Sequence, residues 1–352
     1  MARTRIGLDI GSTAVRAAEL TEGSPPSVVR AAQVPLPAGA VENGEVKDVE
    51  AVTEALRELW SRGGFKSKKV WMGVGNQRVV VREISLPWLP EKELRQSLGF
   101  QVQEFIPMPV DEAVLDYHAI EETEEEGRRT LRVLLVAAQR TMVNALVAAA
   151  TGAKLEPMGL DLVPFAMVRA VGATGAGMEL EDTGNEAVVD VGAHVTNIVV
   201  HSAGETRFVR ILPSGGRDIT MAIARSLSVE DDVAERLKRG EVVEGASVSA
   251  AQAEDVARQR AQQFVDEIRS SLEFYTAQSQ GARIDRVLVS GGGSKLHGFM
   301  DVIRQRIPVL VEPGRVFSRV GSQLSLSEEA QAEAEPVLAV AVGLAIPWGG
   351  GS

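Results

Sequence analysis

Two nine-residue segments, 181 positions apart, carry one pattern: Leu8-Asp9-Ile10-Gly11-Ser12-Thr13-Ala14-Val15-Arg16 and Val189-Asp190-Val191-Gly192-Ala193-His194-Val195-Thr196-Asn197. Each reads as an apolar strand ending in Asp, one apolar residue, glycine, two mostly small or polar residues, and a second strand. A chain of 352 residues has the length of about two domains. One copy per half therefore predicts a duplicated α/β module whose two turns face each other.

The residue types suit a phosphate clamp. Glycine lets the main chain approach a ligand, so successive N–H groups of a tight turn can surround phosphate oxygens. An Asp beside a polyphosphate repels it unless a cation stands between, so the pair Asp9 and Asp190 predicts Mg²⁺, reached through water. Ser12 and Thr13 add hydroxyl donors, and Arg16 supplies positive charge for a β-phosphate. Gly192, Ala193 and Thr196 belong to the second turn, where His194 leaves donation to the nucleotide and plain packing both open. A third element is Ser290-Gly291-Gly292-Gly293-Ser294-Lys295, between a predicted strand (286–290) and a predicted helix (296–306). Close backbone approach and a helix N-terminus both favour an anion there. Gly215-Gly216, before another predicted helix, offers the same from a different side. One Asp-x-Gly turn alone is commonly a plain hairpin and a GGG run a plain loop. Two such turns followed by strand–GGG–helix are far more specific.

The remaining pattern organises the chain. Strands are predicted at 6–10, 15–20, 28–34 and 70–74, and a helix at 49–60 has its apolar positions on one face and Gly63-Gly64 at its end. A small inserted α/β unit follows: strand 79–86, helix 91–105, strand 113–120, a solvated acidic tip at 121–127, strand 130–138 and helix 141–150. Strand 155–162, helix 164–171 and a Gly-rich linker at 172–177 lead to the second half. There we expect strands at 187–190, 196–201 and 208–212, helices at 217–226, 229–240 and 250–278, and a terminal helix at 337–344.

Charge and composition exclude several functions. A net charge of −11 argues against a general nucleic-acid binder, which needs clustered Lys and Arg. The absence of cysteine removes a disulfide framework, a thiol nucleophile and a Cys-type zinc site. His118, His194, His201 and His297 are scattered without ligand spacing. Trp71, Trp88 and Trp348 read as packing residues, and 86–90 as a candidate border of a partner groove. The longest apolar run, Val337 to Ile346, has about ten residues against the ~20 of a membrane span. With no signal-peptide pattern at the start, a cytoplasmic location without direct membrane insertion is expected.

The three Gly-containing motifs resemble those of the actin-like ATPase superfamily, which includes actin, the seventy-kilodalton heat-shock chaperones, sugar kinases and the cell-division protein FtsA. Asp9–Arg16 is similar to its first phosphate motif, Val188–Val200 to the second, Val287–His297 to the adenosine motif and Val337–Leu344 to the second connecting helix. The resemblance implies an α/β fold of two ribonuclease-H-like lobes around a cleft holding ATP and Mg²⁺. It also implies adenine contacts from Arg269 and Ser270. Further segments resemble the PilM family of type IV pilus assembly proteins: 84–87, 105–112, 136–140, 271–274 and 291–298. That resemblance implies lobes at 1–78 (completed by 155–174 and 336–352) and 175–335, the latter with helices around 213–283. The inserted unit at 79–154 would border the groove for a partner. It further implies an ATP-binding scaffold that docks the N-terminal cytoplasmic tail of PilN. Through partners, it would join the pilus inner-membrane platform, with motor ATPases and self-association as further contacts.

Two departures shape the expectation. Actin-type enzymes place Gln or Glu near the first connecting helix to orient the attacking water. Here Gly159–Phe165 is apolar apart from Asp161, which reads as structural, so slow or absent hydrolysis is expected. FtsA ends in an amphipathic membrane-targeting helix, and 347–352 (Pro-Trp-Gly-Gly-Gly-Ser) cannot form one. An FtsA-like division filament is the alternative. So is a small-molecule kinase, which would need a polar sugar pocket that the acidic run at 121–126 does not supply.

Overall fold

The structure, a computed structural model, describes residues 3–125, 127–172, 184–243, 248–279 and 281–347. The expected linker beyond Gly172, Trp348 and the tail from 348 onward lie outside these residues.

The chain begins with β1 (Thr4–Ile10), β2 (Ala14–Thr21) and β3 (Ser27–Pro35), then a short hairpin of β4 (Val41–Glu42) and β5 (Glu45–Val46), helix α1 (Val49–Gly63) and β6 (Lys69–Val74). There follow β7 (Val79–Pro87), α2 (Glu91–Gln101), β8 (Ala113–Glu125), β9 (Arg128–Gln139), α3 (Arg140–Gly152), β10 (Glu156–Leu162) and α4 (Val163–Val171). The second half comprises β11 (Asn185–Val191), β12 (Thr196–Ser202), β13 (Glu205–Leu212), α5 (Gly216–Leu227), α6 (Asp231–Lys238) and α7 (Ala250–Gln278). It closes with β14 (Ile284–Ser290), α8 (Phe299–Arg306), β15 (Leu310–Pro313), β16 (Gly321–Ser322) and α9 (Glu328–Ala345).

The duplication is visible in the sheets. One has the order β10-β6-β1-β2-β3-β16, the other β15-β14-β11-β12-β13. In both, three antiparallel strands are followed by two that run parallel to the first of them. Alternation along the central strands sends Ile6 and Leu8 into a core with α1 and α3, and Val189 and Val191 into a core with α5, α7 and α8. A third core lies between the sheets and is filled by α4 and α9. The two helices cross: α4, leaving the first sheet, packs on β11 and β12, whereas α9 packs on β1 and β2. β16, within the stretch expected for the second lobe, pairs with β3 of the first sheet. Strands β7, β9 and β8 form a separate sheet covered by α2, with its own core of Ile84, Leu94, Leu98, Leu135 and neighbours.

Four expectations need correction. The terminal helix, expected at 337–344, runs over Glu328–Ala345 with Pro336 inside it and Ser327 as its N-cap. Helix α2 stops at Gln101 rather than at 105. Val102 caps it, Phe105 N–H turns back to Val102 O (2.9 Å), and Pro107 disfavours helical geometry at the residue before it. The acidic run at 121–125 is strand rather than loop tip. Arg132 reaches Glu121 (2.5 Å) and Arg129 reaches Glu122 (2.6 Å) across the hairpin, so facing charges hold the ladder together. The GGG run does not open a helix directly. Gly292–Lys295 is a short 3₁₀ turn, and α8 begins only at Phe299, after Gly298.

The crossing of α4 and α9 is a backbone-to-backbone contact. A Cβ placed on Gly343 would lie 1.9 Å from Ala166 O, and one on Gly7 would lie 1.9 Å from Ala341 O. Gly343→Ala therefore must push the helices apart, and it is expected to lower the unfolding free energy by about 1–3 kcal/mol in denaturant titration, the range for overpacked cores. Wild-type stability in that variant would show that the crossing is loosely packed.

Candidate functional site

Both repeated hairpins end at one cleft, and their turns are built alike. Gly11 N–H bonds Ala14 O (3.1 Å), and Gly192 N–H bonds Val195 O (3.0 Å). The register pairs Asp9 with Arg16 and Asp190 with Asn197, so the residue seven positions after each Asp lies beside it on the next strand. Arg16 Nη1 stands 3.3 Å from Asp9 Oδ2 and its Nε donates to Gln33 Oε1 (2.9 Å). Asn197 Nδ2 donates to Asp190 Oδ2 (3.2 Å).

The two carboxylates are near enough to perturb each other. Burial, and then the charge of Asp9, push the Asp190 carboxyl up to about 6, against smaller lowering effects from Asn197 and Arg16. Asp9 is also raised by burial, partly offset by Arg16. Asn197 Oδ1 is buried and has no hydrogen-bond partner among the described residues. Two ionisable carboxyls and an orphaned oxygen at one point fit a hydrated divalent cation. Among the described residues no three His, Asp or Glu side chains converge, so such an ion would keep most of its waters, as Mg²⁺ does.

The Gly-rich segments nest around the second hairpin. Gly216 N–H bonds Gly192 O (3.0 Å), Arg217 N–H bonds Ala193 O (2.8 Å), and Gly215 N–H is taken by Asp218 Oδ2 (2.8 Å). The first amides of α5 are thus committed to the protein, so the expected anion site at Gly215-Gly216 is not open. Thr196 is fully buried and its hydroxyl donates to Ser214 O (2.8 Å), which locks the turn rather than facing a ligand. Gly291 (φ 87°) sits where a Cβ would meet Val191 O at 2.4 Å and Asp190 Oδ1 at 2.6 Å. Gly293 is pressed on Val191 in the same way, while Gly292 is exposed.

The other expected contacts are distributed unevenly. Ser12 and Thr13 lie in the first turn, half-buried and exposed respectively. Ser294 Oγ donates to Gly291 O (2.7 Å), and Lys295 pairs with Glu333 on α9. Arg269 pairs along its own helix with Asp266 (3.4 Å) and Glu273 (3.8 Å), and Ser270 Oγ donates to Asp266 O (2.8 Å). The α7 side chain that reaches the clamp is Glu267, bonded by Ser214 Oγ (3.0 Å), with Arg269 about 200° further round the helix. Asp161 accepts from Leu162 N–H (2.7 Å) and pairs with Arg169, a structural engagement.

Sequence reading missed Asn197, Glu235 and Lys238. The first stood in the aligned repeat opposite Arg16 and could have been found there. The others carry no local signal. Lys238 Nζ, largely buried, bonds Gly216 O (3.1 Å), Thr220 Oγ1 (2.8 Å) and Glu235 Oε2 (2.6 Å). Burial lowers its pKa against the raising pull of Glu235. Lys238 Nζ and Gly293 Cα both lie close to where a Cβ on Gly216 would stand, at 3.8 and 3.9 Å.

Two facing hairpins, a buried carboxylate pair and glycine turns between duplicated sheets define the class: an actin-like ATPase fold. Comparison with known proteins agrees. Residues 7–347 match the family described as type IV pilus assembly protein PilM. The chain belongs to the PilM family of type IV pilus assembly proteins. The structure of a PilM–PilN type IV pilus biogenesis complex matches over 98% of both chains, at 28% identity and a TM-score of 0.84. EutJ, an ethanolamine utilization protein from Carboxydothermus hydrogenoformans, matches over 98% of this chain and 90% of its own at 17% identity and TM-score 0.58. MreB5 of Spiroplasma citri, solved with ADP, matches over 97% and 94% at 13% identity and TM-score 0.55. Among curated relatives, the cell division protein FtsA of Bacillus subtilis (strain 168) is 22% identical over 258 residues, 66% of this chain. The match spans only 57% of FtsA's length.

The Asp190 shift has a pH consequence. A carboxyl whose pKa rises from 3.8 unfolded to about 6 folded stabilises the fold only while protonated. Without nucleotide or divalent cation, that contribution is present below about pH 4 and lost as pH rises through 6, amounting to about 3 kcal/mol. Urea unfolding of wild type and Asp190→Asn across pH 4–7.5 should show the stability difference between them growing in the variant's favour. A difference that stays constant with pH would refute the shift.

Proposed function

We propose that this PilM-family chain is an ATP-dependent scaffold whose cleft state governs how it holds the N-terminal cytoplasmic tail of PilN. The observation that carries the nucleotide part is the Asp9–Asp190 pair on facing, duplicated turns, with the unpartnered Asn197 oxygen beside it. Gly11, Ser12 and Thr13 would cradle phosphate from one side. Ala193, His194 and Gly292 would do so from the other. Arg16 would turn to a phosphate oxygen, and Glu235 and Lys238 would border the nucleoside. Bound Mg²⁺ would neutralise the charge between the two carboxylates and the phosphates.

Hydrolysis is slow in this reading, because Asp161 is engaged by Leu162 and Arg169 rather than aimed into the cleft. The acidic residues Glu121 and Glu122 of the inserted unit, paired with Arg132 and Arg129, offer no sugar pocket. The partner assignment is supported by the 98% coverage of a PilM–PilN complex. Among the described residues no helix is long and apolar enough to cross a membrane. Attachment at the inner membrane would run through PilN and the pilus platform.

Saturating Mg-ATP at ~1,000 times its Kd is worth about 4 kcal/mol. The melting temperature of the wild type should therefore rise by several degrees, and Asp9→Ala and Asp190→Ala should abolish the rise. A full shift in both variants would overturn the paired-turn clamp. In a separate titration, a peptide of the PilN amino terminus should bind saturably. Vesicle pelleting of the isolated protein, with no such peptide binding, would instead favour an FtsA-like reading.

A further inference from the structure

The β4–β5 hairpin occupies an unusual place. Its two-residue turn, Asn43 (φ 51°) and Gly44 (φ 76°), points toward the second lobe, and Asn43 N–H donates to His194 Nδ1 (3.3 Å), in the second phosphate turn. Val41 and Val46 anchor its base in the first core. On its other side the hairpin grips the two points where the chain enters and leaves the β7-β9-β8 sheet of the inserted unit. At the first crossing, Asn76, fully buried, donates from Nδ2 to Gly44 O (3.3 Å) and accepts Arg78 N–H at Oδ1 (2.8 Å). A Cβ on Gly44 would lie 2.6 Å from Gly75 O, so the turn and the strand end touch through main chain. Glu45 Oε1 pairs with Arg78 Nε (2.8 Å), and Arg78 Nη1 donates to Gln139 Oε1 (2.7 Å) at the second crossing. Asn76 Nδ2 also meets Met142 Sδ there.

We infer that the β4–β5 hairpin is the element through which occupancy of the nucleotide cleft reaches the inserted, partner-binding unit. The inference rests on the nucleotide and partner reading above. His194 has two alternative engagements. In this structure its Nδ1 accepts from Asn43, and a nucleotide in the second phosphate turn would draw the same ring to phosphate oxygens. Exchanging one for the other frees or re-aims the turn. Because Gly44, Glu45, Asn76, Arg78 and Gln139 form one continuous set of short contacts, a displaced turn carries with it the roots of β7 and α3. The coupling thus has a discrete switching contact at one end and a rigid attachment at the other, which is what a physical route between sites requires. By reciprocity, a bound tail must change nucleotide affinity by the same factor.

The test uses the double variant Asn76→Ala/Arg78→Met, which removes the side-chain links from the hairpin to both roots and leaves the clamp residues untouched, with Glu45→Gln as a milder second variant. Hydrogen–deuterium exchange of the full chain is followed with and without Mg-ATP. In wild type, nucleotide should alter exchange at 41–46 and also at 76–80 and 139–143. In the variants the change should remain at 41–46 and disappear from the two roots. In parallel, PilN-tail peptide affinity should differ roughly tenfold between the nucleotide-bound and free wild type, within the usual range of allosteric coupling, and by less than about twofold in the double variant. Equal nucleotide effects at the roots of wild type and both variants would overturn the inference. So would no effect at the wild-type roots despite a nucleotide-induced rise in melting temperature. No rise in melting temperature would overturn the nucleotide reading itself, and the inference with it. Peptide that fails to bind would overturn the partner reading, while the exchange experiment still decides the hairpin's role.

Discussion

Two carboxylates held out of water on opposite sides of one cleft are the constraint around which the rest of the structure is arranged. Asp190 and Asp9 repel each other and both resist ionisation. Their positions must therefore be imposed by something stiffer than their own interaction. The antiparallel hairpins do this: each Asp is the last strand residue but one before a turn closed by a glycine amide, and each has a polar cross-strand neighbour, Arg16 or Asn197. The neighbours differ in a telling way. Arg16 brings a positive charge that partly relieves Asp9, whereas Asn197 brings a dipole whose oxygen is left over. The uncompensated negative charge is thus concentrated at Asp190, the side where a cation would offset it.

Holding the hairpins at fixed separation falls to α4 and α9. Helix α4 leaves the first sheet and packs on the second, α9 packs on the first, and they cross where Gly343 meets the Ala166 carbonyl. Any change of the angle between lobes has to pass through this contact or bend the helices beside it. Pro336 lies within α9, and its carbonyl accepts Gly291 N–H (3.1 Å) and Ser290 Oγ (3.4 Å). Lys295 adds a pair with Glu333 one turn earlier. The Gly-rich turn is therefore tied to the same helix that sets the lobe separation, and a ligand pressing on that turn acts on the crossing as well.

What was legible in the sequence follows from the range of the interactions involved. The strand–Asp–turn–strand repeat is written in consecutive residues, so both halves of the clamp and the duplicated sheets could be read directly. The length of α2 and the state of the acidic run could not. The first depends on how the segment from Phe105 to Pro109 folds back, and the second on Arg129 and Arg132 arriving from another strand. Glu235 and Lys238 reach Gly216 and Thr220 only because α6 packs against α5, which no local pattern announces. Lys295, plausible as a phosphate ligand beside three glycines, is drawn instead to Glu333, 38 residues further along the chain.

The glycines illustrate the same distinction at the level of a single residue type. Read alone, Gly215, Gly291 and Gly293 suggest room for a ligand, but in the fold that room is filled by Gly192 O, Ala193 O, Asp190 and Val191. Their smallness lets three turns, at 192–193, 215–217 and 291–293, lie main chain against main chain. The floor of the second lobe's half of the cleft is in consequence made of backbone. A backbone floor is indifferent to most side-chain replacements so long as the close approaches are kept. It also separates two kinds of divergence. Changes to side chains rimming the cleft, such as Asn197 or Lys238, can retune its chemistry within an unchanged frame. A Cβ added at Gly215 or Gly291 would break the frame itself.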